Sequence, residues 1–264
     1  MKKVINEMFV YLSGNEKHKP IIFVHGFPYE HTMWKEQISE FSKNYFCVAY
    51  DIRGLGQSPA GNGQFTMESF VDDLETIIDD LKLDKPILCG LSIGGYISLR
   101  ALERFPKKFS AAILCDTRSE ADNNEGKLKR AAGIKRISTE GLATFAKDFI
   151  TNCFGDHFKK NKITELDKII DNSSKFDPAG VKGCLLAMLG RTDTTESLEK
   201  IKIPTLLICG EQDALTPPAV MKEMHKKINN AEYIEIKNAG HMTPIENPEE
   251  VNNAIRNFLK RLNF

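Results

Sequence analysis

No apolar run in this chain approaches the roughly 20 residues needed to cross a membrane. Nor does the start read as a secretory leader, because Asn6 and Glu7 interrupt the apolar stretch that would have to follow Lys2 and Lys3. Excess charge of either sign is missing as well. Lysine plus arginine and aspartate plus glutamate both total 36, a formal net charge of zero, which argues against nucleic acid or an anionic membrane surface as the main partner. The six cysteines include no CxxC pair and no zinc-ligand spacing. Four of them, Cys47, Cys89, Cys115 and Cys209, fall in or beside apolar runs, as expected of reduced core residues in a cytoplasmic protein. Internal repeats, low-complexity tracts and Gly/Ser linkers are also absent. Nothing in the composition favours a monomer over a homodimer.

What is present is enough material for one large core: 264 residues, 41% of them hydrophobic. Short β-rich runs at Ile21–Val24, Tyr45–Tyr50, Ile87–Cys89, Ala111–Cys115, Thr205–Cys209 and Tyr233–Ile236 alternate with longer helical patterns. That alternation implies crossovers, hence an α/β fold with a mostly parallel central sheet flanked by helices. Phe9–Leu12, ahead of the turn Ser13-Gly14-Asn15, is expected to add an antiparallel strand at one edge. Between Cys115 and Ile203 the strand signal stops. One helix is expected over Thr139–Ile150, and another starts at Asp177-Pro178, an N-cap followed by proline at the first helical position. The expected organisation is a core of residues 1–116 and 201–264, with 117–200 inserted as a helical lid over one end of the sheet.

Glycines flank one serine in Gly90-Leu-Ser-Ile-Gly94, directly after the third of these strands and before a helical pattern. The spacing G-x-S-x-G between strand and helix is that of a nucleophile elbow, where small neighbours let the serine sit on a sharp bend. A phosphate-binding turn is the competing reading. It needs G-x-G-x-x-G after the first strand with an acid about 20 residues on, or a lysine in the turn, and neither condition holds.

A serine hydroxyl needs a histidine base and a carboxylate to orient it. Of the six histidines, His18, His31, His157 and His225 lie in polar turns or helical stretches where a solvated role is expected. His241 differs: it occurs in Asn238-Ala-Gly-His-Met-Thr-Pro, between the last strand and the terminal helix. Asp213, in Gly210-Glu-Gln-Asp-Ala-Leu-Thr-Pro-Pro218, follows a strand at the same sheet edge. Asp116 also follows a strand and is the alternative acid; its competing role is to cap the first lid turn or pair with Arg118. His25, in Val24-His-Gly-Phe-Pro28, is placed to shape a turn, with the backbone N–H groups of Phe27 and Ile93 forming an oxyanion hole.

Together, the His25-Gly26 loop, Asp51-Ile-Arg-Gly-Leu-Gly-Gln-Ser58, the elbow, Asp213 and Gly240-His241 resemble the α/β-hydrolase superfamily, whose chain order Ser, Asp, His is the same. Within it, Cys115-Asp-Thr-Arg118 and the Asp213 loop resemble small bacterial carboxylesterases and 3-oxoadipate enol-lactonase-like proteins. Serine at position 92 sets the chain apart from dehalogenases and epoxide hydrolases of this fold, which carry aspartate there. The resemblance implies a serine esterase with catalytic Ser92, His241 and Asp213, acting on a small-molecule ester through an acyl-enzyme with no metal or cofactor. A lactonase, thioesterase or carbon–carbon bond hydrolase would use the same residues, and a non-catalytic binding protein is the remaining alternative. Phe145, Phe149, Leu185, Met188 and Leu189 of the lid, with Leu215 and Met242, are candidates for an apolar acyl pocket.

Overall fold

The computed structural model describes residues 1–262, so positions 263 and 264 of the expected core segment 201–264 lie outside the described residues. Strands β1 (Lys2–Ile5) and β2 (Met8–Ser13) form a hairpin that leads into β3 (Pro20–Val24), β4 (Phe46–Tyr50), β5 (Ile87–Leu91), β6 (Ala111–Cys115), β7 (Thr205–Gly210) and β8 (Ala231–Ile236). They make one eight-stranded sheet in the order β1-β2-β4-β3-β5-β6-β7-β8, parallel from β4 to β8 and antiparallel at β1 and β2. The strand expected at the edge, β2, lies one place in. The true edge is β1, whose first three residues are exposed and therefore carry no apolar signature.

β3 to β7 are buried along their whole length. Such runs are stable only when both faces of a parallel sheet are covered. Alternate residues accordingly enter two cores. Ile22, Val48, Leu88, Leu114 and Leu207 pack with α2 (Met67–Asp80), α3 (Ile93–Arg104) and α9 (Pro218–Lys227). Ile21, Phe23, Ala49, Cys89, Ile113 and Ile208 pack with α1 (Lys35–Phe41) and α11 (Pro248–Arg261). In α11 the buried residues Val251, Ala254, Ile255, Phe258 and Leu259 follow helical spacing. Full burial of each large apolar side chain contributes about 1.5–3 kcal/mol. All six cysteines are buried and unpaired. No helix among the described residues is long and apolar enough to cross a membrane.

Five α-helices stand between β6 and β7: α4 (Asn124–Glu140), α5 (Leu142–Cys153), α6 (Asp156–Asn161), α7 (Ile163–Ser173) and α8 (Pro178–Leu189). Asp177 caps α8 by accepting the Ala179 N–H, with Pro178 at the first position. The single helix expected over 139–150 is instead two. Gly141, at φ 88, breaks the chain between α4 and α5.

Chain order gives the sheet its functional edge. The crossover from β3 to β4 runs one way and that from β4 to β5 runs back past it, so β3 and β5 are neighbours at the switch point. Loops leaving the carboxyl ends of such strands face a common crevice.

Candidate active site

Ser92 leaves β5 with φ 55 and ψ −115 and serves as the N-cap position of α3. A serine at positive φ is held in a sparsely populated conformation, at a cost of about 1–3 kcal/mol that surrounding structure must offset. The Ser92 N–H donates to the Cys115 carbonyl (3.1 Å), while its own carbonyl accepts from Tyr96 N (3.0 Å) and Thr117 Oγ1 (2.9 Å). The glycines answer to space: a Cβ on Gly90 would stand 2.4 Å from the Gly94 carbonyl oxygen, and one on Gly94 would stand 2.2 Å from that of Val24. Leu91 and Ile93 are buried, and Ser92 between them is partly exposed.

Asp213 and His241, 28 residues apart, meet across neighbouring loops with Nδ1 to Oδ2 at 2.9 Å. The Asp213 carboxylate closes an Asx-type turn by accepting the N–H groups of Leu215 (2.8 Å) and Thr216 (2.9 Å) on Oδ1, and it takes the Thr216 hydroxyl on Oδ2 (2.6 Å). Burial alone pushes this carboxyl up. The charge of His241 and the hydrogen bonds from His241 and Thr216 more than reverse that, leaving it at about 2. An ionised Asp213 fixes the His241 tautomer with the proton on Nδ1 and frees Nε2 as an acceptor. Thr216 has no counterpart in the sequence reading; its only signal is its place three residues after Asp213.

Asp116 neither caps a lid turn nor pairs with Arg118. Its Oδ1 accepts the Gly210 N–H (2.8 Å) and its Oδ2 the Thr243 hydroxyl (2.5 Å), which ties the end of β7 to the loop after His241. Burial and the neighbouring Asp213 charge push its carboxyl well up. His25 is fully buried with both ring nitrogens engaged: Nδ1 is 2.7 Å from the Gly26 carbonyl and Nε2 accepts the Ile52 N–H at 2.9 Å. Burial lowers its pKa to about 4, so it braces the loop carrying Phe27 as a neutral ring. Among the described residues, neither the Phe27 nor the Ile93 N–H donates to a protein acceptor. His31, expected at the surface, is buried with Nδ1 2.7 Å from Asp51 Oδ1. The Asp51 loop folds over it, an arrangement that a local reading of charge does not reveal.

The His241 loop is also tied to the helical segment. The His241 N–H donates to the Cys153 carbonyl at the end of α5 (2.7 Å). Glu246, in α10 (Thr243–Glu246), accepts the N–H groups of Gly155 (2.8 Å), Gly240 (2.9 Å) and Met242 (3.1 Å).

Ser92 and His241 line one cavity of about 460 Å³ with Phe27, Phe145, Phe149, Leu185, Met188 and Leu215. The Phe27 and Phe149 rings meet edge to face at 5.3 Å. Two of the residues expected in the pocket are not in this lining: Met242 is buried in the core, and Leu189 stands at the end of α8. A larger groove of about 700 Å³ between α7 and the loop after β3 contains neither Ser92 nor His241. Two clusters, Glu30–His31–Asp51 and Asp116–Cys209–Asp213, bring possible metal-ligand atoms within 4.8 Å of one another. The aspartate oxygens in both already accept protein N–H or O–H groups.

The family model for the alpha/beta hydrolase fold matches residues 19–248. The chain belongs to that family. The hydrolase is 26% identical over 250 residues to 3-oxoadipate enol-lactonase 2 of Acinetobacter baylyi, covering 95% of this chain and 92% of that protein. It is 28% identical to an uncharacterized carboxylesterase of Bacillus subtilis, covering 94% and 82%. Among solved structures, a thermophilic esterase from Thermogutta terrifontis with malate bound superposes with a TM-score of 0.93, at 32% identity over 99% of both chains.

Proposed function

We propose that the hydrolase is a serine esterase acting on small carboxylic esters, with Ser92 as nucleophile, His241 as base and Asp213 as the orienting acid. The observation that carries this reading is the buried Asp213–His241 hydrogen bond of 2.9 Å, with His241 on the wall of the cavity that also holds the strained Ser92. In this mechanism Nε2 of His241 takes the Ser92 proton as Oγ attacks the ester carbonyl. The N–H groups of Phe27 and Ile93 receive the developing oxyanion. His241 then returns its proton to the departing alkoxide, and a water, deprotonated by the same nitrogen, hydrolyses the acyl-enzyme. Asp213 stays ionised throughout and stabilises the imidazolium. Residues 117–200 act in this reading as the lid that supplies the apolar wall, anchored through Cys153 and Gly155 to the His241 loop.

The enol-lactonase name of a relative matched over nearly its full length favours a second reading, attack on a lactone by the same residues. The decisive experiment is labelling with a fluorophosphonate, followed by a panel of p-nitrophenyl esters and lactones. A single adduct on Ser92 is expected. Ser92→Ala should lose on the order of 10⁶ in kcat while remaining folded; activity retained within about tenfold, or an adduct elsewhere, removes Ser92 from the mechanism.

A further inference from the structure

The cavity wall carries five charged side chains, Arg118, Lys129, Arg130, Asp122 and Glu125. Four of them are engaged in ion pairs with protein partners. Lys129 pairs with Glu125 at 2.7 Å, and Asp122 is held by Arg130 at 3.1 Å and by Arg191 at 2.8 Å. Arg118 is different. Its single hydrogen bond is from Nη2 to the Leu215 carbonyl at 3.1 Å, and among the described residues no carboxylate lies within ion-pair distance of it. A guanidinium has five N–H donors in a fixed fork suited to a carboxylate, so one neutral acceptor leaves most of that capacity unused. In a chain with no net charge, this is a local positive excess on the wall of the candidate site.

Its position relative to the reacting atoms is set by its neighbours. Thr117 donates to the Ser92 carbonyl at 2.9 Å, and the Leu215 carbonyl that Arg118 holds belongs to the turn closed by Asp213. Arg118 and Ser92 line the same cavity, so a group bound to Arg118 shares that space with an acyl group on Ser92, with the apolar side chains of Phe27, Phe145, Phe149 and Leu185 lining the rest. That pairing of one unused cation with an apolar wall fits a short hydrocarbon ending in an anion.

We propose that Arg118 is a carboxylate subsite, and that the preferred substrates are small esters carrying a free carboxylate a few carbons from the scissile carbonyl. The proposal rests on the reading of Ser92 as the nucleophile. Arg118 acts as a specificity residue, holding the carboxylate through a charge-assisted, two-pronged contact.

The test compares 4-nitrophenyl hydrogen glutarate with 4-nitrophenyl butyrate in the wild type, Arg118→Gln and Arg118→Lys. The ratio of the two kcat/KM values removes any general effect of the lost Leu215 contact. It should fall about tenfold to a hundredfold in Arg118→Gln, the span of a charge-assisted hydrogen bond. In Arg118→Lys it should fall less, because the charge remains without the fork. The wild-type ratio should also decline as salt is raised. A ratio unchanged within about twofold in Arg118→Gln overturns the subsite. A second measurement is independent of catalysis: calorimetric binding of monomethyl glutarate to Ser92→Ala and to Ser92→Ala/Arg118→Gln. Binding weakened about tenfold or more by the second substitution supports the subsite, and equal affinity, or no binding to Ser92→Ala, overturns it. Arg118-dependent binding without Ser92 labelling would retain the subsite and overturn the esterase reading.

Discussion

The ends of β6 and β7 each carry a buried aspartate, and the two carboxyls are shifted in opposite directions. Asp213 is surrounded by groups that favour its charge: two backbone N–H groups, the Thr216 hydroxyl and His241. Its carboxyl is lowered to about 2 although burial works the other way. Asp116 is equally sequestered, but among the described residues it has no cationic or imidazole partner and it faces the charge of Asp213, so burial prevails and its carboxyl is raised. Burial therefore does not decide which strand-end acid can stabilise an imidazolium; the donors around it do. The ionised member holds His241, and the neighbour with the raised carboxyl ties together the loops that bring Asp213 and His241 into contact.

Replacing each acid by its amide separates these states most sharply. Asp213→Asn keeps the shape and removes the charge that fixes the His241 tautomer, so kcat on p-nitrophenyl butyrate should fall by on the order of 10⁴. Asp116→Asn keeps an oxygen for the Gly210 N–H and removes the charge, its amide group then donating to the Thr243 hydroxyl oxygen where Oδ2 accepts in the wild type. Its kcat should remain within about tenfold of wild type, the cost of a slightly misplaced loop rather than of losing the charge that holds His241. If Asp116→Asn collapses kcat while Asp213→Asn does not, the two roles must be exchanged.

The contrast also marks where sequence reasoning ends. Ser92, Asp213 and His241 could be placed at one sheet edge because each follows a strand whose apolar run is visible locally, and G-x-S-x-G states its own steric requirement. The fold was legible for the same reason, from β3 to β8. What Asp116 does was not legible, because its partners Gly210 and Thr243 lie 94 and 127 residues away and no periodicity announces a hydrogen bond between loops. Glu246 is similar: it joins Gly155 to Gly240, and in sequence it is one acid before a helix. His31 was misread because Asp51, its buried partner, is 20 residues distant. Met242 turns into the core while its neighbour His241 lines the cavity, a difference that local sequence does not announce.

A smaller effect is expected from Thr216, which together with His241 makes Asp213 different. Thr216→Val keeps the backbone N–H to Oδ1 and removes the hydroxyl donated to Oδ2 at 2.6 Å. The same oxygen lies 3.2 Å from His241 Nδ1, so its loss also loosens the imidazole. A reduction in kcat of about tenfold is expected, the order of one hydrogen bond to a charged group only partly expressed in the transition state. Thr216→Ser should restore it. Wild-type kcat in Thr216→Val would show that the backbone donors and His241 are sufficient to keep Asp213 ionised.

A separate effect is in stability, where the two acids should show opposite pH slopes. Asp213 has a lowered folded pKa, so its contribution is present above the unfolded value of about 4 and is lost as pH falls toward 2. A shift from 3.8 to about 2 corresponds to about 2 kcal/mol at neutral pH. Asp116 has a raised folded pKa, so its contribution is fully present below about pH 4 and is lost as pH rises through the folded value. Urea unfolding of wild type and both Asn variants between about pH 3 and pH 8 would measure this. The stability difference between wild type and Asp213→Asn should grow with rising pH and level off above about pH 5, whereas the difference between wild type and Asp116→Asn should shrink as pH rises. Asparagine titrates in neither state, so each difference isolates one carboxyl. Parallel slopes for the two would mean that both aspartates are ionised in the fold, and the contrast between the strand ends would have to be sought in geometry alone.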